Sequence, residues 1–232
     1  GKHNASNGED NNDGHHENFS DNMGAEGPSD DPVLTAARAQ RRRNMIATLL
    51  LSQGTPMILS GDELGNSQNG NNNAYNQDNA TTWIDWSAVD GDFLAFTRKM
   101  IAFRKAHPIL RQKRFLHSRE RPADGLEDLF WRRADGKPMR DVDWLDAELG
   151  ILCVEMRTAS GSPSYAVRED AIFAVFNVGS KTKINLPDPP KNKIWSLQID
   201  TSRPDADLPQ ISDQSHICPA NCVLVFLLDS VA

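Results

Sequence analysis

What this chain lacks already removes several classes of protein. Nowhere in its 232 residues is there anything near the roughly 20 consecutive apolar residues of a membrane helix, and no charged stretch followed by an apolar one opens the chain as an export signal would. Positive charge is in deficit: Lys and Arg total 25 against 32 Asp and Glu, giving a net charge of −7 and a pI near 5.3. Nucleic acid and anionic membrane surfaces, which need a positive footprint, are disfavoured as partners, whereas a neutral ligand is not. Only three cysteines are present, Cys153, Cys218 and Cys222, an odd number that cannot complete a disulfide framework. No histidine sits at zinc-ligand spacing beside Cys218-x-x-x-Cys222. They read as buried or half-buried free thiols in a reducing, cytoplasmic compartment, with no metal and no other cofactor. The 38% hydrophobic content suffices for a core in one large domain or two small ones.

What is there is organised around Gln53 to Trp86. The apolar run Pro56-Met57-Ile58-Leu59 stops abruptly at Ser60-Gly61-Asp62-Glu63 and opens into a loop of Gly, Asn, Gln and Asp. It is too short for a core helix, and the pattern predicts a buried parallel strand delivering polar groups to a working face. Upstream, Asp31-Pro32 is a helix start, with Asp as N-cap and proline at the first helical position. A helix is expected from about Pro32 to Ser52, with Leu34, Ala37, Met45 and Leu49 on its apolar stripe, Ile46 and Leu50 beside them, and Gly54 as its left-handed terminator. Downstream, Asp92 is the expected cap of a second helix carrying Phe93, Phe96, Met100 and Phe103, which His107-Pro108 ends. Trp83 and Trp86 read as core anchors first and as stacking surfaces second.

Residues 1–31 are crowded with Asn, Asp, Gly, Ser and His and show no periodicity, so by composition alone they predict a disordered tail. Yet the opening Gly1-Lys2-His3-Asn4 reads like the middle of a longer chain. The adjacent His15-His16 is a poor metal pair without further ligands. From about Arg114 the texture changes to short apolar runs, Leu129–Arg132, Ile151–Met156, Ala171–Val178, Lys183–Leu186, Ile194–Ile199 and Cys222–Leu228, separated by turn residues. That spacing predicts an antiparallel β-sandwich, with a boundary near Ile109–Lys113.

Taken together, Lys2-His3-Asn4, Asn7-Gly8-Glu9, Asp13-Gly14, Gln53-Gly54-Thr55-Pro56-Met57, Gly61-Asp62-Glu63, Gln68, Gly70-Asn71-Asn72-Asn73-Ala74-Tyr75, Gln77-Asp78-Asn79 and Trp83-x-Asp85-Trp86 resemble the isoamylase-type glycogen debranching enzymes of the α-amylase superfamily. The resemblance is dense to about Phe115 and looser beyond, where Trp131, Gly136, Met139, Asp143-Trp144 and Ala171–Val178 echo the family's last domain. It implies a fold that is α/β then all-β: the last part of a (β/α)8 barrel (helix 7, strand 8, helix 8) followed by an antiparallel β-sandwich. Residues 1–31 would then be a polar loop segment of the barrel, 32–110 the end of the barrel and 111–232 the sandwich.

It further implies an enzyme that hydrolyses α-1,6-glucosidic branches in glycogen or limit dextrin, of which this chain is a C-terminal portion without the family's three catalytic carboxylates. No catalytic residue is therefore expected here, and the chain alone is expected to be inactive. Hydrolysis with retention needs two carboxyl groups about 5 Å apart, and adjacent residues such as Asp62 and Glu63 are poorly placed for that. The expected substrate-binding residues are Lys2, His3, Asn4, Asp62, Glu63, Gln68, Asn71, Asn72, Asn73, Tyr75 and Asp78, because amides offer sugar hydroxyls both donors and acceptors and aromatic rings offer a stacking face. The expected partners are a branched α-glucan and the missing N-terminal part of the same enzyme. The competing reading is a stand-alone, non-catalytic module that binds α-glucan or docks on another protein.

Overall fold

A computed structural model describes the chain from Lys2 to Val231 except for His15, Asn18, Phe19, Glu26, residues 164–170, Asp207, Pro209 and Ser212. His15 of the doubtful metal pair thus lies outside the described residues. The chain folds as two compact units, one of Gly1–Ala39 with Met57–Arg98, the other of Gln40–Pro56 with Lys99–Ala232. No helix among the described residues is long and apolar enough to cross a membrane.

Helix α1 runs from Pro32 to Leu51, started as expected by the Asp31 carboxylate, which accepts the Val33 N–H at 2.8 Å. Its buried residues are Ile46, Ala47, Leu50 and Leu51. Of the stripe read from the sequence, Ile46 and Leu50 are buried, whereas Met45 is 65% exposed. The end of α1 is closed by a device invisible to local reading. Arg104, itself buried, donates from Nη1 to the Leu50 and Ser52 carbonyls at 2.6 and 2.8 Å and from Nη2 to the Gly54 carbonyl at 2.6 Å. These are helix-end acceptors that would otherwise be stranded.

Helix α2 spans Gly91–Ala106. Its cap is Asp90, whose carboxylate accepts the Phe93 N–H at 2.9 Å; Asp92, the expected cap, lies inside the first turn. Phe93, Phe96 and Met100 are buried as the periodicity required.

Among the described residues the second unit holds all the strands: β1 Leu129–Arg132, β2 Ile151–Met156, β3 Ile172–Asn177, β4 Thr182–Asn185, β5 Lys193–Asp200, β6 Gln210–Ile211, β7 Ser215–Cys218 and β8 Cys222–Ser230, with the one-turn helix α3 at Asp141–Trp144 between β1 and β2. They form a six-stranded sheet in the order β1-β2-β3-β8-β5-β6 and a two-stranded β4-β7 ribbon. Every pairing between these strands is antiparallel.

Alternate residues of β3 and β8, Phe173 and Val175 with Leu224 and Phe226, join Trp195 and Leu197 of β5, Ile184 of β4 and Cys218 of β7 in one buried cluster. The two sheets therefore share a core. Ile172, Ala174, Val223 and Val225, on the other face of the same strands, are buried as well. Burial on both faces explains why the sequence shows continuous apolar runs in β3 and β8 instead of alternation. All three cysteines are buried and free, as expected.

Two expectations fail in the first unit. Pro56–Ser60 is not a strand, and Met57 and Leu59 are 87% and 66% exposed. A strand is stable only beside another strand, and this unit contains none among its described residues, so the backbone here has no ladder to join and its side chains no layer to cover. Trp83 and Trp86, read as core anchors, are 60% and 73% exposed.

Candidate ligand-binding cleft

The residues singled out from the sequence come from two stretches, 2–14 and 61–78, and the first unit ties these together through their own amides. The segment after Lys2 is not a free tail. It folds through a short 3-10 turn at Ala5–Asn7 that is ended by Gly8 at φ +82°. Asn4 is 1% exposed; its backbone N–H donates to Asn11 Oδ1 at 2.7 Å and its Nδ2 to the Asp13 carbonyl at 3.1 Å.

The second stretch turns at Asn69 and Gly70, which have φ of +53° and +83°, a conformation that Asn and Gly tolerate best. It thereby brings Asn71 to the first stretch. Asn71 Nδ2 donates to Ser6 Oγ at 3.1 Å and to Asn7 Oδ1 at 2.8 Å. Asn7 Nδ2 returns a bond to the Asn73 carbonyl at 2.6 Å, and Asn73 Nδ2 reaches Asp13 Oδ2 at 2.6 Å. His3 and Asn72 exchange two further bonds: the His3 N–H donates to Asn72 Oδ1 at 3.2 Å and the Asn72 N–H to the His3 carbonyl at 3.3 Å. The knot is tight beside Gly14, itself at φ +69°, where an added Cβ would crowd the Asn73 amide at 3.1 Å.

Next to this knot lies an open polar cleft of about 670 Å³, lined by His3, Asp62, Gln68, Asn71 and Asn72 among others. Asp62 reaches it from a single 3-10 turn, Asp62–Leu64, entered through Gly61 at φ +101°. Glu63, its neighbour, is turned away and accepts the Gly61 N–H at 3.1 Å. The two carboxylates therefore do different things, and they do not form a facing pair.

The remaining expected residues fall outside this cleft's lining. Lys2 donates its amine to the Asn12 carbonyl at 3.0 Å. Tyr75 is 79% exposed. Asp78 accepts the Trp83 indole N–H at 2.9 Å, which fixes that exposed ring. Ser20, Asp21, Asn22, Leu59, Ser60, Asn66, Ser67 and Gly70 complete the lining and were not among the expected binding residues. The nearby Asp85 carboxyl is held below its usual range by the Ser87 hydroxyl and N–H and the Ala88 N–H, which outweigh its slight desolvation.

The arrangement offers imidazole, carboxylate and amide groups along one open trough, which suits a polyhydroxylated neutral ligand. Among the described residues no group of three or more His, Cys, Asp or Glu side chains is placed to hold a metal ion.

Comparison with known proteins agrees with the resemblance seen in the motifs. No family model matches the chain. A protein of Mycobacterium tuberculosis named glycogen operon protein GlgX homolog is 40% identical over 97% of this chain. Proteins named glycogen debranching enzyme match it too: that of Cronobacter sakazakii is 47% identical over 62% of the chain and that of Serratia proteamaculans 43% over 67%. Homologues with these names thus cover the chain. The chain spans only 32% of the length of the mycobacterial relative and 21–23% of the other two.

Among solved structures, a type I pullulanase of Bacillus subtilis complexed with maltose superposes with a TM-score of 0.59 over 84% of this chain and 24% of its own, at 17% identity. An α-amylase of Geobacillus thermoleovorans complexed with acarbose superposes with a TM-score of 0.51 over 84% of this chain and 34% of its own, at 14% identity. At such identities the likeness concerns the fold alone, which this chain shares with part of each of these two enzymes.

Proposed function

We propose that this chain is the C-terminal part of a cytoplasmic glycogen debranching enzyme, a glycoside hydrolase that cleaves α-1,6-glucosidic branches of glycogen or limit dextrin. In this reading residues 1–31 are a polar loop segment of a (β/α)8 barrel, 32–110 the end of that barrel and 111–232 a β-sandwich. The observation that carries it is coverage: 97% of the chain aligns at 40% identity with a relative three times its length, and other relatives are named for debranching. The exposed Met57 and Leu59 are what an eighth barrel strand shows when its neighbouring strands belong to another part of the protein.

The chemistry is then divided between the parts. Retaining hydrolysis uses one carboxylate to attack the anomeric carbon and a second carboxyl, about 5 Å away, to protonate the leaving oxygen. Glu63 is engaged with the Gly61 N–H, so Asp62 has no partner for that work at its side. We assign the attacking and protonating groups to the remainder of the enzyme. This chain contributes one wall of the glucan cleft: His3, Asp62, Gln68 and Asn72 present polar groups to sugar hydroxyls, and the exposed Tyr75 gives a ring face. Lys2, Asn4, Asn71, Asn73 and Asp78 hold that wall in shape through the bonds described above. Glu63 braces the turn that carries Asp62.

The test is kinetic, in an enzyme completed by the missing part. Asp62→Ala and Tyr75→Ala should raise KM for a branched limit dextrin more than they lower kcat, as loss of binding common to ground and transition states does. An unchanged KM for both, with thermal stability retained, would remove the cleft from the substrate's path.

A further inference from the structure

The debranching reading uses nothing in the buried core of the second unit, and that core contains a sulfur pair. Cys218 is the last residue of β7, paired with Thr182 in the two-stranded ribbon, and Cys222 is the first residue of β8, paired with Asn177 in the six-stranded sheet. Only Pro219, Ala220 and Asn221 separate them. Both are fully buried, yet their sulfurs lie 3.5 Å apart. A disulfide bond is about 2.05 Å long, so closure needs the sulfurs to approach by about 1.5 Å, within reach of side-chain rotation and a small adjustment of the turn. Asn221, at φ +49°, lies in the turn between the two sulfurs.

We propose that Cys218 and Cys222 are a dithiol modification site, converted to an intramolecular disulfide by a low-molecular-weight disulfide such as oxidised glutathione, which staples the two sheets at the β7–β8 turn. The step balances. The Cys218 thiolate attacks one sulfur of the small disulfide, forming a mixed disulfide and expelling one small thiolate; the Cys222 thiolate then attacks the Cys218 sulfur and expels the second. The protein loses two hydrogens as one S–S bond forms, and the reagent leaves as two thiols that take up the two protons.

The roles follow from the contact itself. Either sulfur can donate across this contact; the contact favours ionisation of Cys218, against the opposing effect of burial, and the same contact and burial raise Cys222. Attack therefore begins at Cys218. Access comes through the turn, where Ala220 and Asn221 are exposed. Their carbonyls accept bonds from Gln40 and Asn44 of α1 at 2.6–3.2 Å, so the reaction waits on release of these bonds. Cys153 lies in the same buried cluster, but burial pushes its thiol up to about 12, which keeps it protonated and makes it an internal control.

The test needs only the 232-residue chain. The folded protein is incubated with excess oxidised glutathione, quenched in acid, unfolded, alkylated and weighed intact, then mapped by peptide. The expected product has lost two hydrogens, carries one alkyl group, on Cys153, and links Cys218 to Cys222; a Cys153→Ser variant should lose two hydrogens and carry none. Three alkylated cysteines after an incubation that oxidises the urea-unfolded chain would overturn the proposal. A link involving Cys153, or a stable glutathione adduct in place of the internal bond, would overturn it equally.

Discussion

Replacing Asp128 should unfasten the N-terminal border of the sheet domain, and the cost can be worked out. The side chain is fully buried. Its Oδ1 accepts the N–H groups of His117 and Arg119 at 3.1 and 3.2 Å, and its Oδ2 that of Ser160 at 2.9 Å. One carboxylate thus holds the chain entering β1 against the chain leaving β2. Hydrogen bonds to a charged group contribute about 1.5–3 kcal/mol each and are not additive within one network. Asp128→Ala, which strands three donors, should therefore cost about 3–5 kcal/mol in total.

Burial pushes this carboxyl upward, but the three N–H donors outweigh it and hold it below its usual range. A depressed folded-state value contributes stability that is present above the unfolded value, about 3.9, and is lost as pH falls through the folded one. Urea unfolding followed by far-ultraviolet circular dichroism, run for both proteins from pH 7 down to pH 3, measures both effects. The gap between wild type and variant should be widest near neutrality and shrink below about pH 4. A gap under about 1 kcal/mol at pH 7, or one that does not narrow in acid, would refute the assignment.

Arg104→Ala should destabilise the second unit by about 2–4 kcal/mol, because it leaves the Leu50, Ser52 and Gly54 carbonyls without their donor, and Arg104→Lys should recover only part, since an ammonium lacks the guanidinium fork; chemical denaturation decides both. Asn73→Ala should lower the melting temperature of the first unit through loss of its bond to Asp13, whereas Tyr75→Ala, at a 79% exposed side chain, should leave stability within about 0.5 kcal/mol. Backbone amides of residues 57–59 should exchange with solvent faster than those of β3 at Ile172–Asn177; equal protection in a monomer would contradict the exposed, unpaired reading of that segment.

The parts legible in the sequence are those set by local chemistry. Asp31-Pro32 starts α1, Phe93, Phe96 and Met100 mark the buried side of α2, and the runs at β1, β2, β3, β5 and β8 are apolar enough to stand out by themselves. What was not legible depends on residues far apart in the chain. Arg104 closes a helix that ended more than fifty positions earlier. The bonds of Arg132 and Arg157 to the buried Glu155 join β1, β2 and the residue after β2. Strands β6 and β7 are short and carry too few apolar residues to show a period.

Pro56–Ser60 has the composition of a strand, but composition supplies no neighbouring strand, so it remains irregular here. Of the asparagines that line the cleft, Asn71 and Asn72 were named from the sequence and Asn22 and Asn66 were not, and the sequence could not divide them by task. Only the geometry separates Asn71 and Asn73, whose amides tie two loops together, from Asp62 and Gln68, which line the cleft without a side-chain bond in that knot.

The central claim, that this chain is one part of a debranching enzyme and supplies a wall of its cleft without its catalytic carboxyls, is tested most directly by release of reducing ends from a branched limit dextrin. The assay compares the chain alone with the same chain fused behind the part of the Mycobacterium tuberculosis relative that it does not match. No turnover by the chain alone and α-1,6 hydrolysis by the fusion are the predicted results. Turnover by the purified chain that Asp62→Asn abolishes, or a folded fusion that binds no glucan, would contradict the account.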